Sequence, residues 1–391
     1  MGSRREFIRA GALASVAGIV GSKAIAAEPK PLGTVANPVR SFSGDRSYAA
    51  SASPRPWSKP QRKTSPISID VHSHWSPDGY LKAKAELGRP DFLDPINHDM
   101  ERRKNMMDAM GIQTSLLTLG GFRPWQWVTP EQGVRVSRVS NDAAIEAHTA
   151  YPERFIAGIE LNCSDPVGSL IELNRVAGKS GMVCVHLPTS LAGRDFMFEP
   201  EFAPVLARTE ELGLPILLHP LDGEPNWFAG HRLADVYSGA DPNANETARR
   251  FPGLTNSLGN NLEMAVAIAK LIVSGTLDKY PTLTFIATTG GGAMPYVAGR
   301  LESRSGNKAK QPVYSYLRRF YYDSLTYWPP SLRYLAEMVG ADRIVLGTDN
   351  MYGPGSNQIT DQPHSIIDQA NFNDQDRDLI LRGNLKRLFK I

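Results

Sequence analysis

The sequence predicts an α/β protein, specifically a (β/α)8 barrel of the TIM type. From residue 66 onward, strand-like and helix-like segments alternate, which favours a parallel sheet covered by helices. The strand-like segments number eight between residues 66 and 391, which fits a closed barrel with insertions. No glycine-rich phosphate-binding turn follows the first strand, and this argues against the competing doubly wound open sheet.

The elements follow from apolar periodicity and its interruptions. Gly111 is expected to end the first helix, and the segment 220–258 is expected to be a long loop of the kind that forms an active-site wall. The predicted strands are 67–71, 112–119, 155–161, 182–187, 214–219, 283–288, 320–325 and 344–347. The predicted helices are 99–110, 131–150, 166–179, 201–212, 258–277, 294–304, 331–339 and 374–389.

Composition places the chain among ordinary globular proteins. Of its 391 residues, 41% are hydrophobic and 21% charged, and the net charge of +3 is spread along the chain, so no nucleic-acid surface is predicted. Cys163 and Cys184 both lie in apolar runs. We therefore expect buried core thiols rather than a disulfide, a metal site or a catalytic nucleophile.

The first 27 residues are typical of an export signal. Arg4 and Arg5 precede a short run rich in Gly, Ala and Ser, and small residues follow at 24–26. The paired arginines predict a twin-arginine signal in residues 1–27, cleaved after Ala26 or Ala27, with the export machinery as partner of the precursor. The run is too short to span a bilayer, so we expect no stable membrane anchoring and a periplasmic bacterial protein. Residues 28–65, rich in proline, predict a linker or surface arm, and residues 66–391 the barrel.

The end of the first strand carries two histidines, His72 and His74. Side chains two residues apart in a strand point to the same side, so both imidazoles are delivered to one place. That arrangement is half of a metal site. Taken alone, it fits two surface histidines at a strand end equally well.

Polar residues at the carboxyl ends of other predicted strands decide between these alternatives, because side chains from distant segments converge there in a barrel. His186 ends the fourth strand, His219 the fifth, and Asp349 follows the eighth. Imidazoles with a carboxylate form a donor set that suits zinc, with manganese or iron as alternatives. Such a metal activates water or polarises a substrate oxygen, and Asp349 beside it can accept a proton.

Five motifs in order resemble the amidohydrolase superfamily, and within it the branch of aminocarboxymuconate-semialdehyde decarboxylase and the resorcylate-type decarboxylases. The resemblance runs from about residue 67 to the C-terminus. The motifs are Asp-x-His-x-His at 70–74, Leu-His-Pro at 218–220, Leu-Asp-Lys-Tyr-Pro at 277–281, Gly-Gly-Gly-Ala-x-Pro-Tyr-x-x-Gly-Arg at 290–300 and Leu-Gly-Thr-Asp at 346–349, with a further match at 380–388.

The resemblance implies specific roles for matching residues. It implies that a divalent metal is held by His72, His74, His219 and Asp349. It also implies that Arg300 holds a substrate carboxylate, in some members across a dimer interface, although an ordinary helix-surface arginine fits this position as well. A homodimer is what the resemblance implies for the assembly.

Position 289 departs from the family pattern. The family usually has histidine immediately before the three glycines, where this chain has Thr289. A hydroxyl can donate or accept a hydrogen bond, but it does not titrate near neutral pH. The acid or base is then Asp349 alone, or it is supplied by His186 or by His231 in the long loop, each of which can also be a structural histidine.

Several other residues have weaker assignments. Trp227 and three other aromatic residues of predicted loops are candidates for an aromatic wall of the substrate pocket. The alternative is that they only pack the loops. Asp70 is expected to support the strand end, while Glu263 and Glu302 are expected at the surface or in support of the site. The other three aromatics are Trp125, Trp127 and Phe228.

Three functions remain open from the sequence. The first is non-oxidative decarboxylation of a small carboxylated aromatic or ring-cleaved substrate. The second is hydrolysis of an ester, amide, lactone or carbon–carbon bond by water that the metal activates. The third is a non-catalytic ligand-binding barrel that has lost its chemistry, against which the complete set of four ligands argues.

Overall fold

Eight parallel strands form one sheet in which each strand pairs with the next along the chain, in the order β1 to β8. The fold is described from a computed structural model. The strands are β1 (Ser68–Trp75), β2 (Ile112–Leu119), β3 (Phe155–Glu160), β4 (Met182–Pro188), β5 (Ile216–His219), β6 (Phe285–Ala287), β7 (Phe320–Asp323) and β8 (Ile344–Val345).

Backbone hydrogen bonds between β1 and the segment after β8 bring the two edges together. The amide of Val71 donates to the carbonyl of Leu346 at 2.9 Å, and the amide of Asp349 donates to the carbonyl of His72 at 2.7 Å. Ser73 and Asn350 form a further parallel bridge. The predicted (β/α)8 barrel is confirmed.

The structure describes residues 68–88, 99–120, 125, 128–191, 194–220, 255–304, 306, 308–350 and 363–391. The chain divides into two units, residues 1–53 and 54–391, and every described residue belongs to the second. The predicted export signal and linker lie outside the described residues. In the described part, none of the helices has the length and apolar character needed to cross a bilayer.

Helices lie between successive strands. Their ends follow local rules: Asp99 caps α2 by accepting from the Arg102 amide, and Gly111 ends it with φ 74°. The described helices are α1 (Asp78–Glu86), α2 (Met100–Met110), α3 (Pro130–Ala150), α4 (Pro166–Val176), α5 (Ala203–Glu211), α6 (Asn260–Val273), α7 (Thr276–Lys279), α8 (Met294–Arg304), α9 (Val313–Leu317), α10 (Pro329–Val339), α11 (Pro363–Gln369), α12 (Asp374–Asp378) and α13 (Asn384–Phe389).

Several boundaries differ from the prediction. Strand β1 continues through both histidines rather than ending before them, because β2 pairs with it as far as Trp75. The predicted last helix is two helices separated by a π-helical turn at Leu379–Gly383. Helix α1 was not predicted, since it has no clear apolar periodicity. The predicted helix 258–277 is α6 followed by the separate α7, with Gly275 at φ 76° between them.

The core has two apolar clusters, one between the sheet and the helices and one to which all eight strands contribute. The second cluster includes Leu116, Cys184, Leu217 and Tyr321. In each of β2, β4, β5 and β7, the residue two positions after the cluster member points to the same side of the strand. These residues are polar, so polar side chains lie directly beyond this apolar cluster, toward the carboxyl ends of the strands. Both cysteines are buried and free, as predicted, and burial raises the pKa of the Cys184 thiol.

Candidate metal centre and active site

Strand β1 presents His72 and His74 to one place. Their ring centroids lie 5.2 Å apart with the rings nearly perpendicular. Both side chains are buried, with exposures of 1% and 2%. An irregularity in the pairing of β1 with β2 between Asp70 and Ser73 shifts the register just where the first histidine lies. The imidazole pair predicted from the sequence is therefore formed.

His219 at the end of β5 and Asp349 after β8 complete the cluster. The Nε2 atoms of His74 and His219 are 3.1 Å apart. One carboxylate oxygen of Asp349 lies 3.3 Å from Nε2 of His72 and 3.2 Å from Nε2 of His74. The ligand atoms of all four residues fall within 4.8 Å of one another. The four residues predicted as ligands are brought together.

Each histidine has its other ring nitrogen turned toward a hydrogen-bond acceptor. Nδ1 of His72 lies 2.6 Å from a carboxylate oxygen of Asp323, and Nδ1 of His219 lies 2.5 Å from the carbonyl of Pro220. Nδ1 of His74 lies 3.2 Å from the hydroxyl of Thr118, which itself donates to the Ser73 carbonyl and so accepts here. These bonds favour a proton on Nδ1, so that Nε2 faces the centre and would be the atom that binds a metal ion, as in metal-binding histidines.

The donor set fits a divalent metal ion. Nε2 of His72 is buried and forms no well-aligned hydrogen bond with a described residue, although an Asp349 carboxylate oxygen lies 3.3 Å away, so a cation between the two would satisfy both. Lone pairs on His74 and His219 that face each other repel unless a cation lies between them. Three imidazole nitrogens with one carboxylate oxygen satisfy such a cation and leave coordination positions for water or substrate.

Burial and neighbouring charges shift the pKa values of the cluster residues in opposite directions. Burial lowers the pKa of His72, but the carboxylates of Asp349 and Asp323 raise it to about 10. Burial raises the pKa of Asp349, yet the neighbouring His72 and His74 hold it well below its usual range. Asp349 is consequently an ionised carboxylate, suited to binding a cation.

Asp70 ties β1 to the segment after β8 beneath the centre. Its carboxylate accepts from the His72 amide at 3.0 Å and from the amide and hydroxyl of Thr348 at 3.1 and 2.7 Å. Burial raises its pKa to about 6, although these hydrogen bonds and nearby His72 lower it. Thr348 directly precedes Asp349, so Asp70 fixes the backbone that carries two of the four ligands.

His186 lies beside the cluster but is not among its ligands. Its ring is 6.2 Å from that of His219, centroid to centroid, and its Nδ1 lies 2.6 Å from a carboxylate oxygen of Glu160 on β3. The same oxygen accepts from the amide of Leu119 at 2.7 Å. This buried pair places a second imidazole at the carboxyl end of the barrel.

Thr289 occupies the turn after β6 in a backbone conformation with φ 53°, which β-branched residues rarely adopt. Its hydroxyl is buried and has no hydrogen-bond partner in the described part of the chain. The amide of Gly290, next to it, donates to Asp323 at 2.7 Å. Asp323 thus connects His72 to the turn that carries Thr289.

The remaining candidates are not among the four residues of the cluster, and some lie outside the described residues. Arg300 lies on an exposed face of α8 and forms no ion pair with a described residue. Glu302 accepts from the Val313 amide at 2.6 Å, a structural role. Glu263 is buried, not at the surface, and accepts from Thr189 and Ser190. Trp125 is buried, while Trp127, Trp227, Phe228 and His231 lie outside the described residues.

Three site residues were missed from the sequence: Asp323, Thr118 and Glu160. Asp323 ends β7, Glu160 ends β3, and Thr118 is the penultimate residue of β2. The rule that found the histidines, polar residues at carboxyl strand ends, applies to all three. An aspartate ending the apolar run Phe-Tyr-Tyr at 320–322 was the clearest available signal.

Known proteins resemble the chain over most of its length. The gamma-resorcylate decarboxylase of Rhizobium sp. (strain MTP-10005) is 25% identical over 345 residues, covering 83% of this chain and 98% of the relative. The 2-amino-3-carboxymuconate-6-semialdehyde decarboxylase of Dictyostelium discoideum is 21% identical over 352 residues, covering 81% and 90%. The 2-keto-4-carboxy-3-hexenedioate hydratase of Sphingobium sp. (strain NBRC 103272 / SYK-6) is 26% identical over 276 residues, covering 66% and 73%.

A solved structure confirms the fold. The dihydroxybenzoic acid decarboxylase of Polaromonas sp. JS666, with bound manganese and the inhibitor 2-nitroresorcinol, superimposes with a TM-score of 0.69 at 24% identity. The match covers 83% of this chain and 97% of that protein.

The family assignment rests on the sequence profile described as Amidohydrolase, which matches residues 69–391. This match spans β1 to α13, and so it includes all four residues of the cluster. The resemblance seen in the motifs is confirmed, and the chain belongs to the amidohydrolase family.

Proposed function

We propose that this protein catalyses the non-oxidative decarboxylation of a small carboxylated aromatic or ring-cleaved substrate. The observation that carries the proposal is the convergence of three imidazole nitrogens and one carboxylate oxygen within 4.8 Å, in a chain whose named relatives include decarboxylases. His72, His74, His219 and Asp349 would hold a divalent metal ion. When bound, that ion acts as a Lewis acid that polarises oxygens of the substrate.

The proton balance assigns work to the polar residues around the cluster. Decarboxylation breaks the carbon–carbon bond to the carboxylate and forms a carbon–hydrogen bond, so one proton is consumed. The side chain of Asp349 is 33% exposed, and we propose that it relays this proton from the solvent to the carbon that loses the carboxylate. His186, held by Glu160, orients the substrate from the β4 side. The hydroxyl of Thr289 donates a hydrogen bond to the substrate.

Carbon dioxide release from a panel of hydroxybenzoates, including 2,6-dihydroxybenzoate, tests the activity. We expect release by the wild-type protein and a loss of at least about 100-fold in Asp349→Asn, because that change removes both a ligand and a proton acceptor. Asp195→Asn, which alters an exposed ion pair with Lys270, is the matched control. Turnover that persists unchanged in Asp349→Asn would contradict the proposal and favour a site elsewhere.

Addition of water is the second candidate, and Thr289 favours it. The resemblance implies a histidine at this position for proton transfer, and a threonine hydroxyl cannot replace its titration. Hydrolysis or hydration requires the same ligands and a single base, which Asp349 can supply. A relative is also named as a hydratase. Acid production without carbon dioxide, or loss of a substrate double bond, would select this alternative.

We propose zinc as the metal, since the donor set is rich in imidazole. Manganese is the alternative, as it is bound in the related decarboxylase structure. Metal analysis of protein purified without added metal tests this directly. We expect stoichiometric zinc that is lost in His72→Ala. Manganese at the same stoichiometry would replace zinc in the proposal, and the absence of any metal in both proteins would overturn it.

We further propose a homodimer in which Arg300 reaches the substrate carboxylate of the partner subunit. The support is an exposed aromatic face on α8 and α10 beside Arg300. Tyr296 and Tyr334 are 83% and 40% exposed, and their ring centroids are 6.5 Å apart. Exposed aromatic side chains with an arginine are typical of protein interfaces.

The proposed location is the bacterial periplasm, reached by twin-arginine export. The support is the pair Arg4 and Arg5 before a short apolar run. Replacing both arginines by lysine is expected to retain the precursor in the cytoplasm, which cell fractionation measures. Unchanged export of this variant would contradict the twin-arginine route.

A further inference from the structure

Three strained residues lie at the carboxyl ends of three consecutive strands. Thr289, Tyr327 and Asp349 follow β6, β7 and β8 with φ values of 53°, 56° and 52°. The left-handed region is uncommon for residues other than glycine and strained for the β-branched Thr289 and the bulky Tyr327, and such residues persist where the surrounding structure holds them, often at active sites. Two of the three already belong to the candidate site. The third, Tyr327, has no role in the function proposed so far.

The turns that carry Thr289 and Tyr327 pack against each other. A Cβ atom on Gly290 would lie 2.7 Å from the side chain of Thr326, so the two turns are in close contact. Asp323 joins them further, because one carboxylate oxygen accepts from the amides of Gly290 and Leu325 at 2.7 and 3.2 Å. Tyr327 is therefore held beside the turn of Thr289 by the same aspartate that binds His72.

The environment of Tyr327 keeps its phenol protonated. Burial raises its pKa, and the negative charges of Asp349 and Asp323 raise it further. The residue is 37% exposed, so its side chain is partly accessible to a ligand from the solvent. The phenol forms no hydrogen bond with a described residue. A neutral hydroxyl next to two carboxylates is a hydrogen-bond donor that does not add negative charge.

We propose that Tyr327 is a substrate-binding residue whose hydroxyl donates a hydrogen bond to a carboxylate or phenolate oxygen of the substrate at the metal centre. The hydroxyl of Thr289, buried and without a described partner, supplies a second neutral donor from the adjacent turn. This inference rests on the proposed function for the class of substrate.

Binding of a probe anion to the metal-loaded protein tests the proposal separately from turnover. The probe is 2,6-dihydroxybenzoate, measured by calorimetry, with metal content and melting temperature recorded alongside. Tyr327→Phe keeps the ring and removes only the hydroxyl. We expect binding to weaken by about tenfold with unchanged metal content. Tyr314→Phe, at an exposed tyrosine of α9 with 65% exposure, is the matched control and is expected to bind as the wild type does.

Tyr327→His separates a substrate contact from a structural role. It restores a ring donor, so it is expected to recover part of the affinity lost in the phenylalanine variant. If the phenylalanine variant melts lower or loses metal, and the histidine variant binds no better, the hydroxyl is structural and the proposal is overturned.

The outcomes for Tyr327 and for decarboxylation can be told apart. Weaker probe binding in Tyr327→Phe supports the inference even if no carbon dioxide is released, in which case decarboxylation alone is wrong. Equal binding, kcat and KM in both proteins overturn the inference even if decarboxylation is confirmed. A wild-type protein that fails to bind the probe at millimolar concentration has no such anion site, which also overturns the inference.

Discussion

At the scale of single residues, the hydrogen bond between Asp323 and His72 controls the character of the metal centre. The carboxylate lies 2.6 Å from Nδ1, fixes the tautomer of the ring, and raises the pKa of its imidazole. Such an outer carboxylate makes a histidine a stronger ligand because it stabilises positive charge on the ring. Asp323 also accepts from the turn of Thr289, so it organises two parts of the site at once.

Asp323→Asn is expected to weaken metal affinity by about 10- to 100-fold, because the neutral amide cannot stabilise the ring charge as a carboxylate does. Competition with a chromophoric chelator measures the change. Asp195→Asn, at an exposed position, serves as control. Equal affinities in the variant and the wild type would show that the hydrogen bond does not tune the ligand.

Metal affinity is expected to rise with pH. The pKa of His72 is raised to about 10 by Asp349 and Asp323, so in metal-free protein this ligand carries a proton that the metal must displace. Between pH 6 and 9 the apparent binding constant should rise by about tenfold per pH unit for each proton released. A chelator titration at several pH values measures the slope, and a flat profile would contradict proton displacement.

The raised pKa of His72 also predicts how the free energy of unfolding of the metal-free protein changes with pH. A histidine whose pKa is higher in the folded state contributes stability that is fully present below its unfolded value of 6.5. That contribution is lost as the pH rises through about 10. Urea unfolding of chelator-treated protein should therefore show a smaller His72 contribution at pH 10 than at pH 6, with His72→Gln as the reference.

At the scale of elements, the turn after β6 depends on glycine. Gly292 has φ 60° and ψ −133°, and an added Cβ would lie 2.0 Å from the carbonyl oxygen of Asn261 on α6. Gly291 is similarly constrained, because its added Cβ would lie 2.6 Å from the ring of Tyr322. These contacts bring α6 and β7 against the turn, and so they place Thr289.

Gly292→Ala is expected to destabilise the fold by on the order of 3 kcal/mol, from backbone strain and the clash with Asn261. Gly299→Ala is the matched control, because nothing lies within 4 Å of its added Cβ in α8. Alanine in a helix interior should stabilise the control by about 0.5–1 kcal/mol. Urea unfolding measures both changes, and equal stability of the two variants would contradict the close packing of the turn.

The strands and most helices could be predicted from the sequence because burial on both faces leaves continuous apolar runs in a barrel. The end of β1 and the division at Leu379–Gly383 could not be predicted, since pairing with neighbouring segments decides them. Among site residues, His72 and His74 were visible because their spacing is local. Asp323 was visible by the strand-end rule, but its contact with His72 was not, because that contact depends on how the sheet closes.

At the scale of the whole molecule, the exposed aromatic face of α8 and α10 determines assembly in our proposal. Tyr296, at 83% exposure, is the most exposed large apolar residue among those described. The N-terminus of α8 follows the glycine turn, so an interface at this face lies next to the candidate site. Assembly and substrate binding by Arg300 would then be coupled.

Tyr296→Glu is expected to convert a dimer into monomers, because it places a charge in the centre of the proposed interface. Light scattering coupled to size-exclusion chromatography measures the mass. Tyr314→Glu, at 65% exposure on α9, is the control and should remain dimeric. A wild-type monomer, or a dimer that persists in Tyr296→Glu, would place the interface elsewhere or remove it.

The sequence by itself determined the barrel and the pair His72 and His74, because alternation of apolar segments and the spacing of two histidines are local patterns. The resemblance of its motifs to the amidohydrolase superfamily implied His219 and Asp349 as the other two ligands. Tertiary structure decided how those residues act. Closure of β1 against the segment after β8 brings Asp349 to the histidines. The pairing of β6, β7 and β8 then sets Asp323 beside His72, since distances between residues of different strands arise only when the sheet closes.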